Sequence, residues 1–166
     1  MEEISVTKSK LNYSGYFDFG DFYTLLWRTL KDLGYVVVEE NYKRSVSGGG
    51  EEINISWSAF KNVDDYSRFK IGIRILILGL KKQEVKLPNG ATVKKDKGNI
   101  FLTFSVSIQT DYLNKWETHP LLKFLKGFYD YYIYRKQIES LTSKVLEELG
   151  SLENEVKSYF QMATFM

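Results

Sequence analysis

Few side chains in this sequence are able to do acid–base or metal chemistry. Cysteine is absent and histidine occurs once, which excludes thiolate nucleophiles, disulfides and clusters of imidazole ligands. His119 lies two residues after Glu117, a spacing that suits a general base oriented by a carboxylate. No nucleophile accompanies His119, however, and Pro120 follows it directly. We therefore interpret His119 as the residue at which a helix begins.

Carboxylates form the second candidate group. Asp64, Asp65, Asp111 and Glu117 carry the oxygen ligands that hard divalent cations prefer. Their spacing matches no metal-binding loop, and adjacent aspartates ahead of a strand are typical of turns. The sequence therefore predicts no metal site, no cofactor and no catalytic residue, which argues against an enzyme.

Alternating apolar and polar residues predict several half-buried strands. The apolar positions of three of these strands run from Ile53 to Ala59, from Phe69 to Ile77 and from Ile100 to Ile108. The intervening positions are Asn54, Ser56 and Ser58 on the first strand, Lys70, Gly72 and Arg74 on the second, and Thr103, Ser105, Ser107 and Gln109 on the third. An edge strand is predicted near the N-terminus, with Lys8 and Lys10 protecting its free edge.

Two segments have helical periodicity. In the first, residues 18–33, apolar residues recur every three or four positions up to Gly34, which ends the helix. The second begins at Pro120 and contains six aromatic residues within eleven positions: Phe124, Phe128, Tyr129, Tyr131, Tyr132 and Tyr134. Successive helical residues point about 100° apart, so these rings cannot all face one core. Core packing with exposed tyrosine edges, a ligand cavity and an oligomer interface all remain open.

The order of elements predicts a single α+β domain spanning residues 1–166. An antiparallel sheet would pack against an N-terminal helix and a long C-terminal helix. An unbroken helix over residues 121–160 would be about 60 Å long, so we expect a break near Gly150. The last turns, about 150–166, would then form a separate or protruding helix. This order resembles the helix-grip fold of START-type and plant-allergen-type lipid-binding proteins, in which a curved sheet wraps a long final helix around a cavity.

A second resemblance is local. The stretches Val63-Asp64-Asp65-Tyr66, Asp111-Tyr112 with Trp116-Glu117, and Pro120–Asp130 resemble a group of small uncharacterised archaeal proteins. The resemblance implies an archaeal source and carries no function. The acidic start of the chain and the lack of an apolar run of about 20 residues predict no signal peptide and no membrane span. A cytoplasmic protein is the resulting expectation.

The leading functional hypothesis is non-enzymatic binding of an apolar small molecule or lipid between the sheet and the C-terminal helix. The helix-grip resemblance and the aromatic helix both favour it. The side chains expected to line such a cavity are Trp57, Ile73, Phe104, Phe128 and Tyr132. Core packing predicts the same side chains.

Two alternatives involve macromolecular partners. The first is a structural protein that forms a homo-oligomer through Leu76, Leu78 and Leu80, where the strand is apolar on both faces, or through the 138–160 helix. The second is a nucleic-acid binder that uses the hairpin 81–97, whose turn is predicted at Asn89-Gly90 and whose cations include Lys82, Lys86, Lys94 and Lys95. The hairpin lacks aromatic residues and arginine, which makes nucleic-acid binding the less favoured alternative.

Overall fold

Five antiparallel strands form the sheet of this chain, whose residues 1–165 are described by a computed structural model. The strand order is β1-β5-β4-β3-β2. In chain order the elements are β1 (Glu2–Phe17), α1 (Phe19–Asp32), β2 (Val36–Ser47), β3 (Gly50–Asn62), β4 (Ser67–Lys86), β5 (Thr92–Thr110), α2 (Pro120–Tyr129), a π-helical turn (Asp130–Tyr134) and α3 (Arg135–Phe165). The predicted α+β class is confirmed, with an N-terminal helix and a long C-terminal helix packed against the sheet.

The strand alternation seen in the sequence separates the two faces of the sheet. The apolar positions of β3, β4 and β5 are buried in one core together with the helices. Examples are Ile55, Ile73 and Phe104, none of which is more than 2% exposed. The intervening polar positions point to the other face. Because strand side chains alternate with a period of two, the register that places the apolar residues in the core also places the polar residues on the other face.

Helix α1 begins and ends close to the predicted positions. The carboxylate of Asp18 accepts a hydrogen bond from the backbone N–H of Asp21 at 2.8 Å, so Asp18 caps the first turn. Phe22, Leu26 and Leu30 are fully buried along one face of the helix. After the helix, Gly34 has a φ of +93°, the left-handed conformation that favours glycine at this position.

The C-terminal helical run differs from its prediction at Gly150. Helix α3 continues through this glycine, and Leu149 and Leu152 on either side of it are buried in the core. The irregularity lies earlier, at the π-helical turn, and the whole run of 46 residues is about 70 Å long. Within residues 1–165 no helix combines the length and apolarity that crossing a membrane requires.

The lysine-rich hairpin is a continuation of β4 and β5. Its turn differs from the predicted two-residue Asn-Gly turn, because the N–H of Leu87 donates to the carbonyl of Ala91 and encloses three residues. Gly90 adopts a φ of +83°, and the N–H of Ala91 donates to Asn89 Oδ1. Three-residue loops with a left-handed last residue are a common hairpin connection.

Candidate functional site

The face of the sheet turned away from the core, here called the open face, forms a broad polar cleft. Its volume is about 660 Å³. Its lining comes from all five strands and consists largely of hydroxyl-bearing and charged side chains, among them Glu3, Ser5, Lys8, Lys10, Glu40, Ser56, Ser58, Lys70, Arg74, Thr103, Ser105 and Ser107. The fold thus gathers many polar side chains from five strands on one surface.

The strand register arranges these residues in rows across the sheet. One row contains Lys10, Thr103, Arg74 and Ser56 on β1, β5, β4 and β3. The next contains Lys8, Ser105, Gly72 and Ser58 on the same strands. Neighbouring strands are about 4.8 Å apart, so the Cα atoms of Lys10 and Arg74 are about 10 Å apart. Because Gly72 has no side chain, the middle of the open face is recessed relative to the side chains around it.

The two carboxylates that line the cleft, Glu3 and Glu40, form hydrogen bonds with neighbouring side chains of the open face. Glu3 accepts hydrogen bonds from Ser107 Oγ at 2.7 Å and from Gln109 Nε2 at 3.2 Å, and Lys70 Nζ lies 3.5 Å away. The hydrogen bond from Ser107 is the main cause that lowers the pKa of Glu3 below its ordinary value. Glu40 accepts a hydrogen bond from Ser58 Oγ at 2.6 Å.

Three cations of the open face have no such partner. Among residues 1–165, Lys8, Lys10 and Arg74 make no ion pair. The hydroxyl groups of Ser56, Thr103 and Ser105 are likewise free of hydrogen bonds within this part of the chain. The open face therefore presents unpaired positive charge above free hydroxyl groups, an arrangement that suits an anion with several oxygen atoms.

One end of the open face is apolar. Leu76 pairs with Phe101 across β4 and β5; Leu76 is half-buried and Phe101 is exposed. Leu78 is also half-buried, whereas Leu80 is buried in the core. The strand register shifts between Leu78 and Lys81, so Leu80 turns to the core while Leu76 and Leu78 stay partly open to solvent.

The five side chains predicted to line an apolar cavity are divided between two environments. Trp57, Ile73 and Phe104 lie together in the core, where Trp57 also donates a hydrogen bond from Nε1 to Glu39 at 2.9 Å. Phe128 and Tyr132 are 58% and 66% exposed on the surface of the C-terminal helical run. The structure does not bring these two aromatic residues to the other three.

The hairpin lysines are only partly brought together. Lys82, Lys94 and Lys95 line a cleft of about 340 Å³ that also contains Asp18, Asp21 and Asp96. Lys86 lies beyond this cleft, close to the turn. Across the two strands Lys82 faces Asp96 and Lys94 faces Glu84. Acidic neighbours thus offset the positive charge of this hairpin.

The residues considered for acid–base or metal chemistry have structural roles. His119 caps helix α2, its Nδ1 accepting a hydrogen bond from the N–H of Leu121 at 3.3 Å, which confirms its position at the start of a helix. Asp64 Oδ1 accepts from the N–H groups of Tyr66 and Ser67 in a turn. Asp111 is buried beside Lys126. Among the described residues no three carboxylate or imidazole groups cluster in a way that would hold a metal ion.

Comparisons with known proteins do not place this chain in a family. No family model, curated protein or solved structure matches it. The resemblances to helix-grip proteins and to archaeal proteins therefore stay predictions.

The open face is the site that sequence reasoning did not identify. In the sequence, its outward positions on β3, β4 and β5 are recognisable only as the polar side of half-buried strands. The signal was the combination of serine or threonine with cations at alternate positions of consecutive strands. Only the register shows that Lys10, Thr103 and Arg74 share a row.

Proposed function

We propose that this chain is a non-enzymatic binding domain whose open face binds a small ligand with more than one anionic group. The observation that carries the proposal is the set of three unpaired cations, Lys8, Lys10 and Arg74, around free hydroxyl groups. An isolated surface lysine is ordinary. Three unpaired cations on one concave surface raise the local potential and attract anions.

The dimensions of the open face limit the class of ligand. Lys8 and Lys10 are two residues apart on one strand and therefore about 7 Å apart, while Arg74 is about 10 Å across the sheet. A ligand that meets all three must carry anionic groups separated by similar distances, as linked phosphate groups do. Because the cleft is broad and polar, we expect charge to supply most of the affinity, which should fall as salt rises.

Calorimetric titration with inorganic tripolyphosphate tests this proposal. Wild type should bind, and the triple variant Lys8→Met, Lys10→Met, Arg74→Met should lose at least about tenfold in affinity, because each charged hydrogen bond contributes about 1.5 kcal/mol or more. Gly72→Leu leaves every charge in place but fills the middle of the open face, and should weaken binding as well. Failure of wild type to bind would contradict the proposal.

A matched control removes the same charge from the hairpin. Lys82→Met, Lys86→Met, Lys94→Met takes away three cations at a different place on the molecule. If tripolyphosphate binds at the open face, this variant keeps most of the wild-type affinity. If the hairpin variant loses binding and the open-face variant keeps it, the hairpin is the anion site and nucleic-acid binding through it becomes the favoured alternative.

The other expectations from the sequence stay proposals with their own tests. An apolar ligand between sheet and helix would have to contact Trp57, Ile73 and Phe104 without Phe128 and Tyr132, and native mass spectrometry of the purified protein would detect such a ligand. The same spectra report the oligomeric state, and hence test the assembly alternative. Fractionation of cells that produce the protein would test the cytoplasmic location.

A further inference from the structure

The first turns of the C-terminal helical run carry their apolar side chains outward. Leu121, Phe124, Leu125, Phe128 and Tyr132 follow one another at spacings of one, three and four residues, which places them along one face of a helix. All five are exposed, Phe124 by 76%. We call these five residues the apolar stripe. An amphipathic helix of a globular protein ordinarily buries such a face, so its exposure requires an explanation.

The opposite side of the helix faces the protein through polar contacts and through the rings of Tyr129 and Tyr134, which pack on Tyr66. Lys126 is buried, with Nζ 3.4 Å from Glu117 Oε1 and 3.8 Å from Asp111 Oδ2. One turn later Asp130 Oδ1 accepts a hydrogen bond from Tyr66 Oη at 2.6 Å. Turning the helix to bury the apolar stripe would break both sets of contacts. The outward direction of the stripe is therefore held by specific polar contacts of Lys126 and Asp130.

The exposed apolar surface extends beyond the stripe. Leu122, Tyr131 and Ile133 flank it and are exposed as well. Together with the stripe they cover most of the circumference of the helix that does not face the protein. Such a wide surface exceeds what a single narrow groove of a partner covers, whereas a lipid layer can surround a helix on several sides.

The charges around the stripe are predominantly positive. Between residues 115 and 136 the exposed cations are Lys115, Lys123, Arg135 and Lys136. The two acidic residues of this segment already have partners, since Glu117 contacts the amino group of Met1 and Asp130 contacts Tyr66. Two copies of this surface would bring like charges together. An anionic lipid headgroup layer complements the cations and also accepts the aromatic rings.

We propose that residues 120–136 dock this protein onto an anionic lipid surface, with the apolar stripe inserted at the level of the headgroups and acyl chains. The helix would lie in the interface without crossing the membrane. Phe124 and Phe128 supply the largest fully apolar side chains, and the exposed cations Arg135 and Lys136, which directly follow the stripe, contact the headgroups. The proposal uses none of the residues assigned to the open face.

Vesicle co-sedimentation tests this docking. Wild type should sediment with phosphatidylglycerol vesicles and much less with phosphatidylcholine vesicles. The variant Phe124→Ser, Phe128→Ser should lose at least about tenfold in partitioning, because two buried phenyl rings are removed from the interface. Its matched control, Val46→Ser, Met162→Ser, removes two exposed apolar side chains from β2 and α3 and should sediment like wild type.

A charge variant separates the two contributions to docking. Arg135→Gln, Lys136→Gln should weaken sedimentation with phosphatidylglycerol and leave the weak association with phosphatidylcholine unchanged. Three results would overturn the proposal. The first is that wild type does not sediment with vesicles, and the second is that the control variant loses as much partitioning as Phe124→Ser, Phe128→Ser. The third is that wild type binds no vesicles and light scattering shows a dimer, which Phe124→Ser, Phe128→Ser converts to a monomer. In the last case a second copy covers the stripe.

Discussion

Lys126 and Asp111 form a buried ion pair between the C-terminal helical run and the end of the sheet. Lys126 Nζ lies 3.8 Å from Asp111 Oδ2, and the two side chains are only 8% and 2% exposed. Asp111 Oδ1 accepts a hydrogen bond from the N–H of Trp116 at 3.3 Å, whereas Oδ2 has no hydrogen-bond partner within residues 1–165. A carboxylate withdrawn from water in this way depends on its cation.

Replacing Lys126 should therefore destabilise the fold. Lys126→Met keeps most of the apolar stem but leaves the Asp111 carboxylate buried without a counter-charge. We expect the free energy of unfolding to fall by about 3 kcal/mol, the lower end of what breaking a buried ion pair costs. Urea denaturation followed by circular dichroism measures this change.

Two further variants show whether the ion pair is the cause. Lys123→Met removes an exposed lysine from the same helix and should change the free energy of unfolding by less than about 0.5 kcal/mol. Asp111→Asn combined with Lys126→Met removes both charges, and asparagine tolerates the left-handed φ of +49° at residue 111. The double variant should be more stable than Lys126→Met alone, and an additive loss would contradict a coupled pair.

The Lys126–Asp111 pair also explains why the sequence did not predict the orientation of this helix. Helical periodicity identifies the apolar side, and the general rule places that side against the core. Here a buried carboxylate fifteen residues earlier in the chain pairs with Lys126, and Tyr129 and Tyr134 pack on Tyr66, so the side opposite the apolar stripe faces inward. No local pattern reveals that Asp111 would be buried, because its burial follows from the loop that connects β5 to the helix.

In the rest of the chain, the sequence predicts those elements whose structure depends on local patterns of residues. The periodicity of Phe22, Leu26 and Leu30 correctly predicts helix α1, since these residues bury one regular face. Gly150 resembles a helix end, but the burial of Leu149 and Leu152 outweighs the weak helix propensity of glycine. The open face depends on pairing between distant strands, which alternation within one strand does not specify.

The last turns of α3 should contribute strongly to stability. Phe160 stacks on Tyr13 with ring centroids 4.4 Å apart and on Phe22 at 5.4 Å, so it joins α3 to β1 and α1. Phe160→Ala should lower the free energy of unfolding by about 3 kcal/mol through lost burial and the cavity left behind. Phe165→Ala, at a position 90% exposed, is the control and should have little effect. Equal effects of the two variants in urea denaturation would show that the end of α3 is not packed as described.

Buried tyrosines should make the protein sensitive to alkaline pH. Burial is the main cause that raises the pKa of Tyr134 from its ordinary value of 10.0 to about 12, and burial followed by the hydrogen bond to Asp130 raises the pKa of Tyr66 as well. The unfolded chain loses these protons first, so the folded state binds more protons above pH 10. The contribution of these tyrosines to the free energy of unfolding should therefore be level from neutral pH to about pH 10 and fall from there towards pH 12.

Urea denaturation at a series of pH values checks this dependence. Tyr134→Phe removes one of the phenols whose pKa is raised and should make the alkaline fall shallower. At neutral pH it costs about 1 kcal/mol through the lost hydrogen bond to Ser67. Tyr131→Phe, at a position 66% exposed, is the matched control and should leave the pH dependence unchanged. An alkaline fall as steep in Tyr134→Phe as in wild type would exclude Tyr134 as its source.

Gly150 offers a substitution that should stabilise the protein. A Cβ atom at this position would meet no other atom within 4 Å, and the residue lies inside helix α3 without a positive φ. Gly150→Ala should raise the free energy of unfolding by about 0.5–1 kcal/mol, because alanine loses less conformational entropy in a helix. Gly50→Ala is the contrasting variant, since its φ is +115° and the new Cβ would lie 2.8 Å from the carbonyl carbon of Gly79. Thermal denaturation should show opposite shifts for the two variants, and a lower melting temperature for Gly150→Ala would mean that α3 does not continue through residue 150.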